Sequence, residues 1–299
     1  MADIERLLAP EVLAAVDRLD LQVKMLLEGL FQGLHLSRRR GSSIEWSGHR
    51  EYLPGDDPQY IDWLLFARTE RYYVKEFQAE TNIRCNLVVD VSRSMDYTSG
   101  PALTKFRYAV ALAAAFAWFM VGNRDRVGLM LIDGSVRTLM PPSGKRRDLL
   151  AMMVQLSRAV PDGAGSAASG IEAAYARLAR SGMAVVISDL LDDVERTLQA
   201  LRLLSARGQD VVVFHVLDPR EISFDFREPG LFRDPETGTE VDADPGRVGA
   251  AYRNRLNDIR ETFRYGLAAS GIDYVAVDTS KAFIRPLMEF FEMRRRRAR

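Results

Sequence analysis

A chain of 299 residues that is 47% hydrophobic has material for one large domain or two modest ones. Its 41 Lys and Arg balance its 41 Asp and Glu, so overall charge gives no reason to expect nucleic acid or an anionic membrane as partner. The single cysteine, Cys85, rules out an intrachain disulfide and fits a reducing compartment. Residues 1–10 carry acids and no long apolar core, unlike a signal peptide. The longest apolar run, 108–121, falls short of the ~20 residues of a membrane span. The expected location is the cytoplasm.

In chain order, residues 10–34 read as a helix, with Leu13, Val16, Leu19, Val23, Leu26, Leu27 and Leu30 at three- and four-residue steps. Gly33 and the basic, serine-rich stretch 37–43 end it. Residues 45–71 crowd acids, bases and aromatics around a Pro54-Gly55 turn with little periodicity. That segment reads as irregular and held by side-chain hydrogen bonds and ion pairs. Asp56, Asp57 and Asp62 within it form a second, weaker metal candidate, since no His or Cys joins them at ligand spacing.

Strands are expected at 71–77 and 83–90 and a buried, alanine-rich helix at 104–122, closed by Gly122. A strand at 126–133 turns at Asp133-Gly134 into an edge partner at 136–140. Then follow helix 146–159, loop 161–165, helix 167–180, strand 183–189, helix 194–207 and strand 210–217. A polar excursion, 218–241, has turns at Gly230 and Gly238; helix 245–270, strand 272–277 and helix 281–297 complete the chain. The four arginines Arg294 to Arg297 read as a solvated helix end. Alternating apolar strands and helices from residue 83 onward predict an α/β fold, a doubly wound, mostly parallel sheet with helices on both faces. The expected division is 1–80, an N-terminal helix and Arg/Asp/Trp-rich segment packing on the main domain, and 81–299, the main domain.

The chemistry concentrates where the strand at 83–90 ends. Asp90-Val91-Ser92-Arg93-Ser94 follows an apolar run, so one carboxylate and two alternate hydroxyls can be aimed at one point. Such oxygens suit a hard cation, magnesium first, with manganese or calcium as variants. In an open α/β sheet, ligands gather at the carboxyl ends of the strands. Asp189 ends a second strand there, and the loop Asp162-Gly163-Ala164-Gly165-Ser166 brings a third hydroxyl, from Ser166 or the competing Ser169. The candidate metal site is therefore Asp90, Ser92, Ser94, Ser166 and Asp189. The plainer alternative is that these residues only cap the turns and helices that follow. Asp192 and Asp193 read as acids suited to a helix N-terminus, and His215 as core; His35 and His49 fall in loops.

Common catalytic signatures are missing. There is no phosphate-binding Gly-x-x-x-x-Gly-Lys-Ser/Thr run, no Gly-x-Gly-x-x-Gly turn after the first strand and no Gly-x-Ser-x-Gly elbow. The enzyme alternative is phosphoryl transfer through Asp90 with magnesium. Phosphatases of the haloacid dehalogenase type place a second carboxylate two residues on, where this chain has Ser92. The expected role is binding, without enzymatic activity.

Asp90, Ser92 and Ser94, with Asp189 later and Gly165-Ser166 between, resemble the metal-ion-dependent adhesion site of von Willebrand factor A domains over residues 83–297. Upstream, Arg50-Glu51-Tyr52-Leu53-Pro54-Gly55-Asp56-Asp57, Ile61-Asp62-Trp63, Ala67-Arg68-Thr69 and Glu80, with His215-Val216-Leu217-Asp218-Pro219 downstream, resemble the bacterial domain-of-unknown-function family 58. Gln59 stands where an arginine is common in that family. The resemblance implies a von Willebrand factor A-like domain in a cytosolic protein. It also implies work with a MoxR-type AAA+ ATPase, a client protein or both, as a chaperone-like or assembly factor.

Overall fold

The computed structural model describes residues 44–52, 61–79, 83–100 and 103–297. The helix expected at 10–34, the basic stretch after it, Asp56, Asp57, Gln59 and Glu80 lie outside the described residues.

The elements are β1 (Ile44–Glu51), α1 (Trp63–Thr69), β2 (Tyr73–Ala79), β3 (Arg84–Asp90), a 3-10 turn (Arg93–Asp96), α2 (Lys105–Gly122), β4 (Arg126–Ile132), β5 (Val136–Ser143), α3 (Arg146–Arg158) and α4 (Ala167–Tyr175). They continue with β6 (Gly182–Ser188), α5 (Val194–Ala206), β7 (Gln209–Leu217), α6 (Pro219–Ser223), β8 (Gly230–Arg233), β9 (Glu240–Ala243), α7 (Pro245–Ala268), β10 (Asp273–Asp278) and α8 (Ile284–Arg297).

Six strands form the main sheet in the order β10-β7-β6-β3-β4-β5. All neighbours are parallel except β5, which returns antiparallel along β4 at the edge. β3 and β6 lie adjacent at the centre, where the direction of winding reverses. β3 is buried on both faces, and its alternate side chains serve two cores. Cys85, Leu87 and Val89 pack with α2, α3 and α8, whereas Val88 packs with α4, α5 and α7. This is the doubly wound α/β arrangement that alternating apolar strands and helices predict.

α2 is the core helix of the first face. It begins at the Thr104 cap, whose side chain accepts from the Arg107 amide, and is buried nearly all round. Its run of alanines lets the backbone lie close to the sheet, while Phe116 and Phe119 meet Phe290 and Phe291 of α8. By length and composition α2 could cross a membrane, but it is mostly buried inside the domain. At the other end of the sheet, Arg294 is not solvated as expected: its Nη2 donates to Asp210 Oδ1 at 2.7 Å, tying α8 to the start of β7.

Two segments differ from the sequence expectation. Residues 45–71 are not irregular throughout: β1 pairs antiparallel with β2, and α1 lies between them. The pairing joins residues more than twenty positions apart, a distance at which local periodicity carries no information. The polar excursion 218–241 holds α6 and the β8–β9 hairpin, a two-stranded sheet of its own.

Candidate functional site

The carboxyl rim of β3 and β6 is built by backbone pairing that runs on beyond the strands. Val91 N donates to Ile132 O at 2.8 Å, and Ser92 bridges in parallel to Gly163. Arg93 N donates to Gly163 O, and Gly163 N to Val91 O. The loop ending at Ser166 is thereby docked against the Asp90 turn. Its glycines are required by contact: a Cβ on Gly165 would sit 1.5 Å from the Asp133 carbonyl oxygen in the β4–β5 turn. Across the outside of that turn, Arg137 holds both Asp133 and Asp162.

The 3-10 turn folds Ser94 back beside Ser92, and their hydroxyl oxygens lie 3.1 Å apart. Both serines and Asp90 are buried. Asp90 Oδ1 accepts from Ser92 N at 2.8 Å, and Oδ2 accepts from the Ser188 hydroxyl at 2.6 Å. Burial, and then the negative charge of Asp189, push the Asp90 carboxyl up to about 7, against the pull of the Ser188 and Ser92 hydrogen bonds. Among the described residues no Lys, Arg or His pairs with Asp90. A buried carboxylate beside two converging hydroxyls, short of one positive charge, has the donor chemistry of a hard-cation site.

Asp189 is treated differently. Its Oδ2 accepts from Lys105 Nζ at 2.8 Å, and the same ammonium donates to Glu221 Oε1 of α6 at 2.7 Å. Lys105 is 0% exposed. Burial works against its charge, but the two carboxylates outweigh burial and hold the ammonium well above the ordinary lysine range. The Asp189 carbonyl lies 2.9 Å from His215 Nε2 and can only accept, so Nε2 carries the proton and Nδ1 accepts from the Tyr274 hydroxyl at 2.7 Å. Burial lowers His215 to about 4, so the ring stays neutral. Glu221 Oε2 in turn accepts from Asp218 N, and Asp218 accepts from Ser99 N. This chain of contacts fastens the loop after Ser94 to the ends of β6 and β7.

Ser166 caps α4, accepting from Ser169 N at 3.2 Å, and its hydroxyl donates to Asp192. The competing Ser169 faces away, its hydroxyl accepting from Arg196 Nη2 at 2.8 Å. Asp90, Ser92 and Ser94 thus converge directly. Asp189 adjoins Asp90 through charge but is bound by lysine, and Ser166 stands in a separate pair with Asp192. Asp193 caps α5, as a helix N-terminal acid should; Asp192 does not, and instead serves α4, accepting from Ala168 N at 3.1 Å. Asp62 of the second metal candidate caps α1, accepting from the Leu64 and Leu65 amides. Among the described residues no three His, Cys, Asp or Glu side chains gather as a metal cluster; the rim offers mixed carboxylate and hydroxyl oxygens instead.

Sequence reasoning missed Lys105 and Ser188. A charge in the first turn of an otherwise apolar, buried helix was the available signal for Lys105. For Ser188 the signal was its place beside Asp189 at a strand end.

The sheet order is that of a von Willebrand factor A-like α/β fold. The chain belongs to the family described as "Protein of unknown function DUF58", whose model matches residues 48–262. Uncharacterized proteins of Mycobacterium tuberculosis and Mycobacterium bovis are each 32% identical to it over 301 residues, covering 97% of this chain and 92% of the relative. Among solved structures, BatB of Bacteroides thetaiotaomicron aligns with TM-score 0.47 and 16% identity over 72% of this chain and 99% of that one. An aerotolerance-related membrane protein of Bacteroides fragilis aligns with TM-score 0.44 and 18% identity over 69% and 98%.

Proposed function

We propose that this chain is a protein–protein interaction module that grips a carboxylate of its partner through a magnesium ion at the β3 rim. The observation that carries this reading is Asp90: a buried carboxylate with no cation beside it among the described residues, next to the paired hydroxyls of Ser92 and Ser94. Asp90 would supply the charge, and Ser92 and Ser94 neutral oxygens. Asp189, with its charge already offset by Lys105, would act from behind. Ser166 would stand at the margin, held by Asp192. Bound magnesium would supply an outward position at which a partner's Asp or Glu replaces water. Surrounding surface charge would then set specificity and orientation.

The partner we propose is a MoxR-type AAA+ ATPase, a client protein or both, met in the cytoplasm, with this chain an adaptor or chaperone-like factor and not an enzyme. The family resemblance supports that partnership; the rim chemistry supports the carboxylate grip. Calorimetric titration of Mg2+ and Mn2+ into the wild type and Asp90→Ala tests the metal site. Binding that disappears in the variant is expected, and equal affinity in both would refute it. A pull-down with and without chelator should recover an AAA+ ATPase only when metal is present. Turnover of an aryl phosphate that is lost in Asp90→Ala would instead favour phosphoryl transfer.

A further inference from the structure

α1 is an apolar helix without cover. Its sequence opens Trp63-Leu64-Leu65-Phe66-Ala67, yet none of its residues is buried. Trp63 is 58% exposed and Leu64 76%, and Tyr72, just beyond the helix, is exposed as well. The patch is nevertheless ordered. Asp62 caps the helix, and Asp62 N donates to Tyr73 O at 2.8 Å, which fixes the helix start against β2. Phe66 stacks on Tyr72 at 4.5 Å, and Trp63 stands edge-on to both rings, at 6.2 and 6.5 Å. Tyr52 joins from the end of β1, 6.2 Å from Tyr72. A fixed, contiguous cluster of this kind differs from the single exposed apolar residues scattered over any surface, and marks a place where something docks.

The same chain carries a second apolar face in need of a partner. In the segment 10–34, Leu13, Val16, Leu19, Val23, Leu26, Leu27 and Leu30 fall on one side of the expected helix, with Asp17, Asp20, Lys24 and Glu28 between them. Such a stripe gains its stability by packing on another apolar face. The connection has the length to bring the two together. The strand β1 starts at Ile44, opposite Ala79, and ends at Glu51, opposite Tyr73, so the α1 patch lies at the far end of β1 from the segment. An eight-residue strand spans about 27 Å. Residues 35–43, running back along it, reach about 30 Å when extended. The end of the segment nearest this connection, Leu26 to Leu30, is therefore the part that arrives at α1.

We propose that the exposed face of α1 is the seat of this chain's own segment 10–34, with Leu26, Leu27 and Leu30 covering Trp63 and Leu64. The inference is independent of the metal-site reading. Tethering selects this occupant over a second copy. A flexible connection of this length holds the segment at an effective concentration of the order of millimolar, well above that of another molecule at working dilution. The docked segment removes both apolar faces from water at once, and the acids and lysine on its other side stay solvated.

The test uses the full chain. Leu27→Cys combined with Leu64→Cys is treated with a short bismaleimide; the protein's own thiol, Cys85, is buried and stays unlabelled. The pair should link within one chain many-fold faster than a control pair of Leu27→Cys with the exposed Leu203→Cys, at a rate independent of protein concentration. Equal rates for the two pairs would overturn the proposal, and so would covalent dimers forming at a rate that rises with concentration, which would make a second copy the occupant. A second readout needs no linker. The difference between the wild type and Trp63→Phe isolates the emission of Trp63 from that of Trp46 and Trp118. In a double variant, Leu26→Asp with Leu27→Asp, that emission should shift to the red and its quenching by acrylamide should rise several-fold, whereas Asp20→Ala on the polar side should change neither. Equal quenching of Trp63 in the wild type and the double variant would overturn the proposal.

Discussion

Replacing Lys105 with Met removes the one cation shared by Asp189 and Glu221 while keeping the length of the side chain. The ammonium lies 2.8 Å from one carboxylate and 2.7 Å from the other, in a place with no solvent access on the lysine side. At an effective dielectric of about 20, each contact is worth roughly 6 kcal/mol of gross attraction. Most of that is offset by the cost of taking three charges out of water. What the variant exposes is the penalty left behind: the buried Asp189 and the half-buried Glu221 without a counter-charge, about 3–5 kcal/mol of lost stability. Urea unfolding measures this directly, with the midpoint falling and the slope unchanged. The uncompensated Asp189 should also make the rim more hospitable to a cation, so Mg2+ should restore more stability to Lys105→Met than it adds to the wild type. A loss below about 1 kcal/mol would refute the reasoning, because it would mean the lysine is held no more tightly than a surface ion pair.

Acid should weaken the fold through His215. Its pKa is about 4 in the folded protein against an ordinary 6.5, so the unfolded chain binds more protons below pH 6.5. The neutral ring's contribution is full above pH 6.5 and is lost as pH falls toward 4, up to about 3 kcal/mol. Urea midpoints across that window should fall less steeply in His215→Gln, and parallel profiles would count against this account. Ser166→Ala should cost about 1 kcal/mol in unfolding free energy through the lost cap of α4. It should reduce Mn2+ affinity much less than Ser94→Ala does; equal losses would return Ser166 to the inner set of ligands.

The parallel sheet could be read ahead of the structure because strands buried on both faces are written as unbroken apolar runs. Leu87-Val88-Val89, Val185-Val186-Ile187 and Val211-Val212-Val213 are such runs, and each lies in a strand of the central sheet. The β8–β9 hairpin was not readable in the same way. It lies largely in solvent, carries charges at alternate positions and is positioned by Phe224, Phe226 and Phe232 at its base, which meet only once the chain has folded. β1 escaped for a related reason, since it finds its hydrogen-bonding partner, the expected strand β2, across a long intervening segment.

The site divides along the same line. Asp90, Ser92 and Ser94 lie within five residues, so a strand end and one tight turn suffice to bring their oxygens together, and the sequence alone determined that convergence. Which charges those oxygens face was decided by tertiary structure. Lys105 meets Asp189 across 84 positions, Ser188 meets Asp90 across 98, and Ser166 meets Asp192 across 26. These partners are set by strand order and by how the crossover helices return to the rim. The two aspartates looked equivalent in sequence, each ending a central strand. Folding gave Asp189 the buried Lys105 ammonium and, among the described residues, left Asp90 without one.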